Sequence, residues 1–192
     1  MEVYYNFQKT LLYLFILIFL LPVTAFAESG DLLVQAQLDP SISVKPINPV
    51  VQISPSGSGD LTGTFGFMVE ANTGSVSLYA IVSKLYLDTD PTNTNVAPID
   101  VNTATGVEFS PSAAKATSSS SLVASFTSTT TINKSKGLFD ANQTEQINLQ
   151  TDQTDGVFSQ EIDLTTSWTM GTVLRPAGTY GGYITLFVSA VP

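Results

Sequence analysis

Asp31-Leu-Leu-Val-Gln-Ala-Gln-Leu-Asp-Pro-Ser-Ile-Ser-Val44 sets an apolar residue at every second position: Leu32, Val34, Ala36 and Leu38, then Ile42 and Val44. Asp31, Gln35, Gln37, Asp39, Ser41 and Ser43 stand between them, and Leu33 breaks the alternation. A period of two marks an extended strand with one face buried. Pro40 falls on the apolar register but has no N–H for a ladder, so strands are expected at 31–39 and 41–44.

The same period recurs along the chain. Val50-Val-Gln-Ile53 is brief and ends at a Ser/Pro/Gly turn cluster. Phe65, Phe67 and Val69 form one alternating face, and Val76, Leu78, Ala80 and Val82 form the next. Asn72-Thr-Gly74 between them reads as a hairpin turn. Leu122, Ala124 and Phe126 predict a weaker strand, as do Ile147 and Leu149. Phe158, Ile162 and Leu164 share a face on which Gln160 is out of place. Tyr183-Ile-Thr-Leu-Phe-Val-Ser-Ala190 is dense in β-branched and aromatic residues. Residues 102–136, rich in Ser, Thr and Ala, read as an exposed loop region with that weak strand inside it. Many short strands with turns between them predict an all-β sandwich or barrel.

Ahead of these strands, Lys9 precedes an apolar run from Leu11 to Val23, and Ala25-Phe-Ala27 supplies a small-x-small cleavage pattern. The run is short for a membrane span, so residues 1–27 are expected to be a secretory signal. The expected organisation is a signal at 1–27, an extended segment at 28–39 and a β-domain at 40–192, exported from the cytoplasm.

Composition narrows the chemistry. There is no cysteine, so disulfides cannot staple the domain, and no histidine, which removes Ser-His and Cys-His nucleophiles and imidazole metal sites. The net charge of −9 argues against a nucleic-acid partner. Asp88-Thr-Asp-Pro-Thr-Asn-Thr-Asn95 alternates oxygen ligands as calcium loops do, yet lacks the glycine and terminal glutamate of an EF-hand, so Asx turns are expected. Asp152-Gln-Thr-Asp-Gly156 reads as turn chemistry too. Trp168, the single tryptophan, is expected in the core rather than on a sugar-stacking surface. Asn133-Lys-Ser135 and Asn142-Gln-Thr144 match the N-glycosylation pattern only as tripeptides. No enzyme, metal or cofactor is expected.

The alternating segment at 28–39 allows two readings. It is either the first strand of its own sheet, or a detachable strand that completes a second copy. In the second case Leu32, Val34, Ala36 and Leu38 would fill successive pockets of the neighbour, contributing about 5–9 kcal/mol before ordering costs.

Ala36-Gln-Leu-Asp-Pro-Ser-Ile-Ser-Val44 resembles the opening of the cysteine-free fimbrial major subunits assembled by the chaperone–usher route, the alpha-type colonisation-factor and cable pilins. Arg175-Pro-Ala-Gly-Thr-Tyr-Gly-Gly-Tyr-Ile-Thr-Leu-Phe-Val-Ser-Ala190 resembles their Ala-Gly-x-Tyr-x-Gly final strand, and the common pilus subunits are similar. The likeness covers both ends and leaves about two-thirds of the chain unmatched. It implies an immunoglobulin-like β-sandwich that is strand-deficient and completed by a donor strand. Ile184, Leu186 and Val188 would then line the acceptor side. The implied partners are further copies of the chain, a periplasmic chaperone, an outer-membrane usher and a host receptor or surface. The implied route is periplasm, then surface fimbria. The long Ser/Thr-rich middle departs from that pattern. The rival expectation is a monomeric secreted or periplasmic module that binds glycan or protein through its Ser/Thr-rich loops or Trp168.

Overall fold

The computed structural model describes residues 35, 37–48, 59–111, 121–135, 137–151 and 155–191. The expected signal at 1–27, the donor positions Leu32, Val34 and Ala36, and the strand at 50–53 lie outside the described residues. The chain divides into two units, Met1–Leu38 and Asp39–Pro192, and every described strand belongs to the second.

The fold is all-β and sandwich-like, with no helix among the described residues. In chain order the strands are β1 (Ile42–Pro46), β2 (Leu61–Ala71), β3 (Ser75–Ser83), β4 (Tyr86–Leu87), β5 (Asp100–Val101), β6 (Val107–Pro111) and β7 (Leu122–Ala124). They continue with β8 (Phe126–Lys134), β9 (Gly137–Thr144), β10 (Ile147–Gln150), β11 (Phe158–Thr169), β12 (Tyr180–Gly181) and β13 (Ile184–Ala190). All pairings between them are antiparallel.

One sheet has the order β1-β2-β11-β6-β7, with β5 also on β11. Its spine is the β2–β11 ladder, which runs in unbroken register from Ala71↔Phe158 to Leu61↔Trp168. The other sheet is built around β3. β13 lies along one of its edges, while β10 and β9 share the opposite edge and β8 extends beyond β9.

Alternation directs the core. Val69, Ala71 and Phe67 from β2, Phe158, Ile162 and Leu164 from β11, and Val76, Leu78, Ala80 and Val82 from β3 are buried together. Trp168 on β11 is 2% exposed, and its Nε1 donates to the Ser83 carbonyl at 2.8 Å, tying the two sheets. A separate aromatic cluster sits outside this core. Phe139 of β9 meets Tyr86 edge-on at 5.8 Å and Tyr183 at 4.7 Å.

The start of β13 is held closely to the end of β3. Tyr183 N donates to Ser83 Oγ at 2.7 Å, and Ser83 N donates to the Tyr183 carbonyl at 2.9 Å. Gly182 permits that approach, because a Cβ there would stand 2.5 Å from both Lys84 O and Ser83 Oγ. This accounts for the second glycine of Tyr180-Gly-Gly-Tyr183.

One expectation is corrected. Residues 102–136 are not mainly loop, since they carry β6, β7 and β8. Val107 and Phe109 alternate into the core, and the threonines of β8 are β-branched residues suited to a half-exposed strand. A polar composition there is compatible with a ladder, because the threonines keep their β-branched backbone preference on an exposed face. Residues 112–120 of that stretch lie outside the described residues.

Candidate functional site

The site begins with a mismatch of burial across one ladder. β13 pairs with β3 in the register Ile184↔Val82, Leu186↔Ala80, Val188↔Leu78 and Ala190↔Val76. All four β3 residues are fully buried. Opposite them, Leu186 is buried but Ile184, Val188 and Ala190 are only half-buried. Side chains directly opposite in an antiparallel pair share a face, so the core is closed over β3 and opens over β13. Among the described residues no strand pairs with the other edge of β13.

The first sheet repeats the pattern at its own edge. Ile42, Val44 and Pro46 of β1 stand opposite Ala71, Val69 and Phe67, all buried. Yet Ile42 is 38% exposed, Val44 is half-buried and Pro46 is exposed. Phe65, further along β2, is half-buried, whereas its partner Leu164 is fully buried. Phe65 packs edge-on against Trp168 with ring centroids 6.1 Å apart.

These two edges meet. Cα atoms of β1 and β13 come within 8 Å of each other, although no ladder joins the strands. Val44, Phe65, Ile184 and Val188 all pack against the main core while keeping part of their surface open. Two strand edges, each without a further ladder among the described residues and each with a half-covered apolar row, thus flank one seam of the sandwich. Such a seam can accept an extended apolar segment, through backbone hydrogen bonds and alternate side-chain pockets.

Of the residues expected on the acceptor side, Ile184, Leu186 and Val188 lie in one row on the inner face of β13. Of the donor residues only Leu38 is described; it is 83% exposed and lies in no strand. Sequence reasoning missed Val44 and Phe65 as seam residues. Their alternation was legible, but their position at an edge depends on which strands pair.

The Asp- and Asn-rich segments form turns. Asp90 Oδ1 accepts from Thr92 N at 2.9 Å and Thr92 Oγ1 at 2.6 Å, and Asn93 Oδ1 accepts from Asn95 N at 3.2 Å. The Thr92 hydroxyl and amide hold the Asp90 carboxyl below its ordinary pKa. Asp155 likewise caps Val157 N at 3.0 Å. These are Asx turns, and among the described residues no cluster of acidic side chains is arranged to hold a metal. Burial of Trp168 removes it as a sugar platform. Thr144 is buried, with Oγ1 accepting from Ala80 N at 2.8 Å, so the hydroxyl of the second glycosylation tripeptide is engaged in the fold, while Asn142 is half-exposed. An open recess on the first sheet is lined by Ser110, Pro111, Glu161 and Asp163.

No protein-family model matches the chain, and no curated protein sequence matches it.

Proposed function

We propose that this protein is a structural subunit of a surface fimbria that polymerises head-to-tail by donating residues 28–39 to the seam between β1 and β13 of the next copy. The observation that carries this is the burial mismatch along β13, whose inner residues stay half-open opposite fully buried partners on β3. The strand order supports it as well. On this reading β1-β2-β11-β6 would be the A-B-E-D sheet of an immunoglobulin-like sandwich, with β3 and β13 as C and F. The position of strand G, beside β13, is taken by no described strand. β8, β9 and β10 then form an additional meander on the far edge of β3, inserted between D and E.

On this reading Leu32, Val34, Ala36 and Leu38 of one copy cover Ile184, Leu186 and Val188 of the next. A donor strand hydrogen-bonded to β13 lies about 4.8 Å from it. β1 approaches through that same space, so it must shift outward when the strand enters. Head-to-tail donation does not close on itself and so builds a filament. A chaperone and usher would protect and exchange the open edge, and adhesion to a receptor or surface would follow from display of the filament. The protein would act outside the cytoplasm and without enzymatic chemistry. The rival reading, a monomeric binding module, loses its aromatic platform with the burial of Trp168.

The test is thermal unfolding of a chain that lacks residues 1–39, alone and with a synthetic peptide of residues 28–39. Strand donation predicts low stability or aggregation alone, and a marked rise in Tm with the peptide. A stable protein indifferent to the peptide would sink the proposal in favour of the monomeric module.

A further inference from the structure

Asn72, in the turn between β2 and β3, holds the backbone on both sides of Pro40. Its Oδ1 accepts from Ser41 N at 2.6 Å, and its Nδ2 donates to the Asp39 carbonyl at 2.9 Å. Its own N–H donates to the Ser41 carbonyl at 3.2 Å. One residue therefore occupies three backbone groups of Asp39-Pro-Ser41, a stretch whose central residue has no N–H of its own.

Turn geometry does not explain the choice of asparagine. Asn in a tight turn commonly serves a left-handed backbone, yet among the described residues the non-glycine positions with positive φ are Asp88 and Thr89. Asn72 is not one of them, and neither is Gly74 among the glycines. The side chain is instead matched in length and polarity to a donor and an acceptor on the passing chain. No aspartate, serine or threonine offers both groups in that geometry. The boundary between the two units falls after Leu38, one residue before the first group that Asn72 holds.

We infer that Asn72 is a positioning residue that clamps the Asp39-Pro-Ser41 link to the β2–β3 turn. This rests on the proposed strand donation for its consequence, which is that Asn72 sets the angle between successive subunits of the filament. Pro40 stiffens the link covalently, and Asn72 anchors it to the β2–β3 turn. Without the anchor the segment would still enter the next copy, because none of the seam residues is altered.

The absence of cysteine allows a clean test. Spin labels on Gln35→Cys and Thr62→Cys in the chain from Glu28 onward report the distance between segment and sandwich, with and without Asn72→Ala. Loss of the anchor should broaden the distance distribution about twofold and speed Ser41 amide exchange about tenfold. Asn72→Asp, which keeps the Ser41 bond and loses the Asp39 bond, should fall between. Equal widths and equal exchange in the wild type and Asn72→Ala would overturn the clamp. Filaments of Asn72→Ala should form in normal yield with a wider spread of inter-subunit angles, and an unchanged spread would overturn the role in filament geometry. If the wild-type chain forms no filaments, strand donation fails, while the label distances still decide the clamp.

Discussion

β3 and β13 lie side by side and carry the same kind of inner face. Val76, Leu78, Ala80 and Val82 face Ala190, Val188, Leu186 and Ile184 in direct register. The β3 row is fully buried, and the β13 row is mostly half-open. The difference cannot come from the side chains, which are of similar size and polarity. It comes from position: among the described residues β3 has neighbours on both edges, and β13 has a ladder on one. Burial in a sandwich depends on what lies next to a strand as much as on its own pattern, and an apolar row left half-covered invites a partner.

Truncation at paired positions is the strongest way to break this comparison. Leu78→Ala should cost about 2–5 kcal/mol in urea unfolding, as expected where a fully buried leucine leaves a cavity. Val188→Ala, directly opposite, should cost about 1 kcal/mol in the isolated protein, because it removes two methyl groups that are only half-buried. Donor peptide should then stabilise Val188→Ala less than the wild type. Equal losses at the two positions would mean that the β13 edge is already as closed as the centre.

The other edge of β3 shows how a gap is filled from within. β10 pairs with β3 as far as Leu78, and β9 takes over at Ile81. Between them Ala80 N would meet no carbonyl on that side, and Thr144 Oγ1 accepts from it instead, in a buried setting. A side chain there does the work of a missing ladder bond. Thr144→Val keeps the shape and removes the acceptor, so it should destabilise by about 1–3 kcal/mol, the cost of a buried donor left without a partner. Neutrality would mean that water or a backbone shift serves Ala80 N equally well.

How much of this was legible in the sequence follows the same division. Period-two alternation identifies the inner faces at 65–69, 76–82 and 158–164 directly, because a pleated strand turns successive side chains to opposite faces. It also identifies β1 after Pro40 and the turn at Asn72-Thr-Gly74. Pairing is a different kind of information. Nothing local in Ile184 or Val44 states that either strand stands at an edge, and nothing in Asn72 states that it reaches back to Asp39. β8 and β9 were hidden for another reason: their threonines and amides look like loop composition, and a bulge at Phe126/Ser128 disturbs their period.

Gln160 sharpens the contrast from inside the closed region. It interrupts the apolar face of β11, is 3% exposed, and among the described residues has no hydrogen-bond partner for either its Oε1 or its Nε2. Val69 stands directly opposite it. Gln160→Met preserves length and volume while removing two unsatisfied polar groups. Urea unfolding should therefore show a gain of about 1–2 kcal/mol. A loss would reveal a partner, such as an enclosed water, that compensates the amide in solution.

The smallest effect is expected where charge rather than packing holds the sheet margin. Lys84 Nζ lies 3.1 Å from Asp100 Oδ1 and 3.8 Å from Asp140 Oδ2. Burial pulls the Lys84 pKa down, but the hydrogen bond to Asp100 and the charges of Asp100 and Asp140 outweigh it and raise the value above the usual 10.5. Tyr86, whose hydroxyl accepts from Asp140 N at 3.3 Å, is raised above its usual 10.0, chiefly because burial disfavours the phenolate. A group whose pKa is higher in the folded state holds its proton longer there. Its stabilisation is complete below the unfolded pKa and is lost as pH rises through the folded one. Both groups therefore make stability fall with pH from about 10 upward. The fall should be slight, since Asp100 and Asp140 are more than half exposed and water screens their pairing with Lys84. Urea midpoints followed by Trp168 fluorescence from pH 8 to about 12 would measure it. Tyr86→Phe should flatten the tyrosine part of the slope, and Lys84→Met the lysine part, the latter losing its small contribution already at pH 8. A seam between β1 and β13 held by apolar contact alone should leave donor-peptide stabilisation unchanged over the same range. If peptide stabilisation falls with the midpoints, the alkaline transition reaches the edge itself, through the tie between Ser83 and Tyr183 at the start of β13.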